Sequence, residues 1–384
     1  MSYRPSPALP YCEQLALKRH FLKRLVANLV KFGVSLSIIA YLVVDARNNE
    51  AFAQLANQPK HWGLLGLAAL ACLGAVMLTF VRWHVLVRAL GLPFSLRDAF
   101  RLGFLGYLLN FVSFGSVGGD LFKAVFIARQ LPGRRPEAVA TVVLDRVIGL
   151  YMLFVMASVA SLLTGQWNAD DETVRVICRA TLLCTAIGAM GILILLVPGF
   201  TFGSFSAILA RLPRVGPVFG KLLGAIRIYR SRLGMLWLSA ALSTVVHSLT
   251  TLSIYLVARG LPGEYPSLAD HFVIVPLAMV TGVLPLPVNG LGALEMVIKF
   301  LYEHVPVGVS IAEGHGFIVA IGYRAVTILI AMIGVCYYLS SRAEVATVLR
   351  QAEHELAEAD DAEPVGEAGV GTSFSRPKMG VPNC

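Results

Sequence analysis

The sequence predicts an all-α polytopic membrane protein, with about six full transmembrane spans plus two re-entrant helical hairpins, eight hydrophobic segments arranged as an inverted repeat. Three observations carry that prediction. The 384-residue chain is 57% apolar and only 14% charged, against about 45–50% and about 25% for a soluble domain. Its mean hydropathy is +0.72, and apolar runs near the roughly 20 residues that cross a bilayer as a helix recur along it. Its Lys and Arg residues gather between those runs. Such a composition excludes disordered, collagenous, coiled-coil and disulfide-stapled classes. The formal net charge of +9 follows segment boundaries, so it is a topology signal and no nucleic-acid partner is expected.

Clear apolar spans cover residues 26–44, 62–80, 138–163, 176–197, 233–257 and 316–339. Residues 102–117 and 272–288 are also apolar, yet each ends in a Gly- or Pro-rich break followed by an acid and a further helical stretch. The positive-inside rule separates crossings from hairpins, because it counts Lys and Arg in short loops. With two hairpins, 24 of the 32 basic residues fall on the cytoplasmic side, and Asp170, Asp171 and Glu172 fall outside. A simple crossing at 102–117 places the six-basic loop 211–232 outside, against the rule. The expected location is therefore the inner (cytoplasmic) membrane, with both termini cytoplasmic.

That topology repeats. Span, span, hairpin and span occur twice, the second set inverted, a plan in which irregular backbone at membrane depth lines a transport path. The expected divisions are a basic cytoplasmic N-terminus (1–25), a first membrane repeat (26–163), a second repeat (164–340) and a disordered acidic tail (341–384). No small-residue cleavage site precedes the first span, which reads as an uncleaved anchor. Within the second repeat, 200–232 reads equally as an interfacial amphipathic helix or as a plain basic loop. The six cysteines lack metal-site spacing and read as apolar fillers. No metal and no cofactor are expected.

The charges inside the apolar segments are the informative minority. The first hairpin carries Gly118-Gly119-Asp120 and then Lys123; the second carries Asn289-Gly290-Leu291-Gly292 and then Glu295. The glycines permit tight reversal, and each acid stands where it would cap a helix start. The span after each hairpin holds an arginine, in Asp145-Arg146 and in Tyr323-Arg324. A charge at the bilayer centre costs about 2.5–3.5 kcal/mol on the insertion scale, so these groups must pair or line a polar cavity. Acid and arginine are placed to meet across each hairpin–span contact, either as a staple or as a site for an anionic head group. His247, within a span, reads as a hydrogen-bonded packing residue, and Arg82-Trp83-His84 as an interfacial anchor. No nucleophile, Walker or Rossmann motif is present, so a transport protein is expected and not an enzyme.

At these residues the chain resembles the lysylphosphatidylglycerol synthase/flippase membrane-domain family. The resemblance rests on Gly118-Gly119-Asp120 with Lys123, the run Ala140 to Leu150 containing Asp145-Arg146 and Gly149, Pro287 with Gly290, Gly292 and Glu295, and Tyr323-Arg324. It implies a flippase-like integral membrane protein engaged in polar-lipid traffic, with membrane lipids as partners and a separate lipid-synthesising enzyme as a possible second one. The residues it marks for substrate binding and translocation are Gly118, Gly119, Asp120, Lys123, Asp145, Arg146, Asn289, Gly290, Gly292, Glu295, Tyr323 and Arg324. Two positions depart from the family pattern. Lys123 stands where arginine is usual and Asp145 where glutamate is usual, which keeps the charge but removes the bidentate fork at 123. Residues after the last span do not match the soluble aminoacyl-transferase domain of full-length synthases, so lipid aminoacylation is not expected. A membrane-embedded lipid-modifying transferase using the acids as general bases, and a small-solute secondary transporter, are the alternatives to a flippase.

Overall fold

A computed structural model describes residues 57–112, 118–130, 135–196, 232–283, 291–306 and 311–340, with isolated positions 40, 44 and 55. All regular structure among these residues is helical. Helix α1 spans Trp62–Ala89, α2 Leu96–Val112, α3 Gly118–Gln130, α4 Arg135–Leu163 and α5 Glu172–Leu196. Helix α6 spans Leu233–Gly260, α7 Leu268–Met279, α8 Ala293–His304 and α9 His315–Ser340. Short 3₁₀ turns follow α4 and α7. The expected first span at 26–44, the segment 200–231, the tail 341–384, and Asn289 and Gly290 lie outside the described residues.

Among the described residues, five helices are long and apolar enough to cross a membrane: Trp62–Ala89, Val139–Leu163, Glu172–Ile194, Leu233–Gly260 and His315–Ser340. They coincide with five of the six runs read from sequence. Their ends follow local chemistry. Helix α1 stops before Gly91, whose φ of 70° is left-handed, and before Pro93. Helix α4 accepts Pro136 in its first turn, where an N–H has no helical partner. Helix α7 opens with a reciprocal cap, in which Ser267 Oγ accepts from Asp270 N at 3.1 Å and Asp270 Oδ2 accepts from Ser267 N at 3.1 Å.

The remaining four helices are shorter. Helices α3, α7 and α8 have 13, 12 and 12 residues, about 18–20 Å at roughly 1.5 Å per residue, well below the roughly 30 Å hydrocarbon core. Helices α2 and α3 pack together, as do α7 and α8. At the α2–α3 crossing a Cβ on Gly119 would collide with the Gly106 carbonyl oxygen, so glycine is what lets the two backbones touch.

The centre of the molecule is the seam between α1 and α6, each of 28 residues. His61 N donates to Gly260 O at 2.9 Å, Ser253 Oγ donates to Ala68 O at 2.8 Å, and Arg82 Nη1 donates to Ser243 Oγ at 2.8 Å. Partners descend on one helix as they ascend on the other, so the pair is antiparallel and in register from end to end. The helices around the seam make matching contacts. Within the first half α1–α2, α2–α3, α3–α4 and α1–α4 pack, and so do α6–α7, α7–α8, α8–α9 and α6–α9 in the second. Across the halves α2 packs on α9 as α7 packs on α4, and α1 on α9 as α6 on α4. One contact pattern thus occurs twice, with α1 to α4 corresponding to α6 to α9.

Candidate functional site in the helix-hairpin clusters

Three arginine–carboxylate pairs lie where the helix pairs α2–α3 and α7–α8 and the seam meet the long helices. In the first hairpin Asp120 stands in the opening turn of α3, where a carboxylate suits exposed amides and the helix dipole. It accepts a hydrogen bond from Arg146 Nε of α4. Its other oxygen lies 3.6 Å from Lys123 Nζ, one helical turn on. Lys123 Nζ also sits 5.4 Å from the centroid of the buried Trp83 ring, a cation–π distance. The side chain of Arg146 remains 51% exposed, whereas those of Asp120 and Lys123 are 13% and 11% exposed. Nearby, Asn110 Oδ1 accepts from Gly119 N at 3.0 Å and fixes the start of α3 against α2.

In the second hairpin the corresponding acid is wholly closed off. Glu295 of α8 is 0% exposed. Its Oε1 accepts from Arg324 Nε of α9 at 2.7 Å and its Oε2 from Gly292 N at 2.8 Å. Gly292 has a φ of 93°, so the residue that turns the chain into α8 also donates to the acid. Arg324 is buried. Gly316 brings α9 against α8, where a Cβ would stand 2.8 Å from Tyr302 Cβ and 2.9 Å from Lys299 Cα. Tyr323 is buried in the apolar core at the α1–α6–α9 contact.

The third pair is one that sequence reasoning missed. Arg82, read as an interfacial anchor, is buried and grips Asp145 with two parallel donors on one edge of its guanidinium, Nε to Oδ1 at 2.8 Å and Nη2 to Oδ2 at 3.0 Å. Its remaining arm donates to Ser243 Oγ, which in turn donates a hydrogen bond to Ser239 O at 2.8 Å. One turn beyond Asp145, a Cβ on Gly149 would lie 3.2 Å from Arg82 Nη1, so glycine leaves room for the guanidinium. The Gly149 carbonyl accepts from His247 Nε2 at 2.9 Å, so His247 is hydrogen-bonded across the α4–α6 contact. Asp145, Arg82 and His247 thereby tie α4 to both seam helices. A signal for this pair was present in the sequence: Asp145 and Arg146 are adjacent, so they point to different faces of a helix and Asp145 needs a cation elsewhere.

A second missed element sits between α7 and α8. His271 is 0% exposed and bridges Ser267 O at 2.8 Å and Tyr302 OH at 2.6 Å. Because Ser267 O only accepts, Nδ1 carries the proton and Nε2 accepts from the tyrosine hydroxyl. Among the described residues no group of three or more His, Cys, Asp or Glu side chains is gathered as a metal site. Of the expected cysteine fillers, Cys72 and Cys178 are buried, while Cys184 and Cys336 are exposed on the outer faces of their helices.

Helices of membrane-spanning length, paired by buried arginine–carboxylate contacts, define an all-α, multi-pass, membrane-embedded protein. The model of one family, the lysylphosphatidylglycerol synthase TM region, matches residues 28–334. The chain belongs to that family, which associates it with membrane lipids. No curated protein matches it.

Proposed function

We propose that the chain is a lipid flippase, moving a phospholipid, glycolipid or related polar lipid across the inner membrane while its acyl chains stay in the bilayer. The observation that carries this reading is the half-exposed Arg146 side chain at the α3–α4 contact, whose guanidinium donates to the Asp120 carboxylate. An arginine so placed offers a planar, permanently charged fork for a phosphate. The short helices α3, α7 and α8 suit hairpins that enter the membrane and turn back, and the doubled contact pattern with its antiparallel seam suits an inverted repeat. Family membership supplies the link to lipid. In this reading Arg146 engages the head-group phosphate, Asp120 is its counter-ion between passages, and the closed Glu295–Arg324 pair fastens the second hairpin.

The test is transbilayer movement of fluorescent phospholipid in proteoliposomes. Arg146→Ala is expected to slow it about tenfold or more, the equivalent of losing a charge-assisted contact of about 1.5–3 kcal/mol. Movement at the wild-type rate in a folded Arg146→Ala protein overturns the assignment.

A further inference from the structure

We propose that Lys123 makes the first-hairpin site selective for a head group of net negative charge, a phosphate diester without a compensating ammonium. This inference rests on the lipid-transport reading and names the substrate class for it. The starting point is a local charge count. Arg82 meets Asp145 and Arg324 meets Glu295. Asp120 lies within ion-pair distance of two cations, Arg146 and Lys123. The cluster therefore carries an excess of one positive charge, to which the amino end of α3 adds partial positive charge.

Lys123 makes two contacts of different kinds, with the Asp120 carboxylate at 3.6 Å and with the Trp83 ring face at 5.4 Å. An uncompensated charge in a medium of low dielectric is costly, and an arriving anion relieves that cost. A zwitterionic head group brings a phosphate, but its own ammonium restores the excess. Arg146 is the exposed member and makes the contact; Lys123, buried behind it, sets the charge of what is accepted. Lys123 is thus a specificity residue acting through its field. A free phosphate monoester offers similar chemistry, so the test separates the two sources.

Tail-labelled phosphatidylglycerol and phosphatidylcholine are compared in proteoliposomes, with and without external glycerol 3-phosphate. Binding of each lipid to the full chain in nanodiscs is measured in parallel. Wild type is expected to prefer phosphatidylglycerol by about tenfold in both measurements. Lys123→Gln is expected to bring the ratio close to one, and Lys123→Arg to preserve it. An equal response to the two lipids in wild type, or an unchanged preference in Lys123→Gln, overturns the inference; if Lys123→Gln does not fold, the wild-type ratio still decides. Strong inhibition by glycerol 3-phosphate overturns the lipid as the source of the phosphate. If no lipid moves but the binding preference is present and depends on Lys123, the flippase reading fails and the charge selectivity stands.

Discussion

Arg82 and Asp145 are 63 positions apart in the chain and form a bidentate, doubly buried pair. Removing one partner leaves the other charged, buried and alone, which costs about 3–5 kcal/mol. Arg82→Leu and Asp145→Ala are therefore each expected to lower the thermal unfolding midpoint sharply in detergent, while the double variant Arg82→Met with Asp145→Leu recovers most of the loss. Equal midpoints for wild type and the single variants would show that the pair does not hold α4 to the seam. A milder effect is expected at His271. Tyr302→Phe removes the hydroxyl that donates to Nε2 and strands a buried acceptor, at a cost of about 1–3 kcal/mol by the same melting measurement. Pairing of Asp120 with Arg146 and of Glu295 with Arg324 was legible in the sequence, because each acid opens a helix beside a break and each arginine interrupts an apolar run. Arg82 was misread because an arginine next to tryptophan at the end of such a run has the composition of an interfacial belt, and its partner is set by tertiary packing.

At the scale of elements, the hairpins depend on close backbone approach. Gly119→Ala places a methyl group against the Gly106 carbonyl and is expected to destabilise the protein by about 1–3 kcal/mol or to separate α2 from α3. Gly66→Ala and Gly191→Ala, where a Cβ meets nothing within 4 Å, are expected to leave stability unchanged or raised slightly. Similar melting curves for Gly119→Ala and these controls would show that the crossing is looser than its geometry. The five described spans were legible from hydropathy alone, since each is a long run with few charges. The division of the hairpins was less so. Helix α2 begins at Leu96, before the apolar stretch at 102, because Ser95 and Asp98 cap it there: Ser95 Oγ accepts from Asp98 N at 3.1 Å. Periodicity does not register a cap placed ahead of the apolar residues, nor the 3₁₀ turn Val280–Val283 that ends α7.

At the scale of the whole molecule, an order of segments can be read from a sequence, whereas the packing of those segments cannot. The repeated order of spans and breaks was visible, but nothing in it specified that α1 would lie antiparallel on α6 or that α2 would pack on α9 as α7 does on α4. If α2 and α3 form a re-entrant hairpin, single cysteines at positions 96 and 130 are expected to react with a membrane-impermeant thiol reagent from the same side of sealed vesicles. Labelling from opposite sides would make the two helices a crossing. The ion pairs also have a direction along the chain. Arg82 and Asp120 both precede Asp145 and Arg146, and Glu295 precedes Arg324. Ribosomes deliver the amino end first, so α4 carries its two adjacent opposite charges into a bilayer that already holds both partners, and α9 does the same with one. For Arg146 and Arg324 the carboxylate is synthesised first, so neither guanidinium waits in lipid for its counter-ion, whereas Arg82 enters 63 positions ahead of Asp145 and is the arginine that α4 must reach.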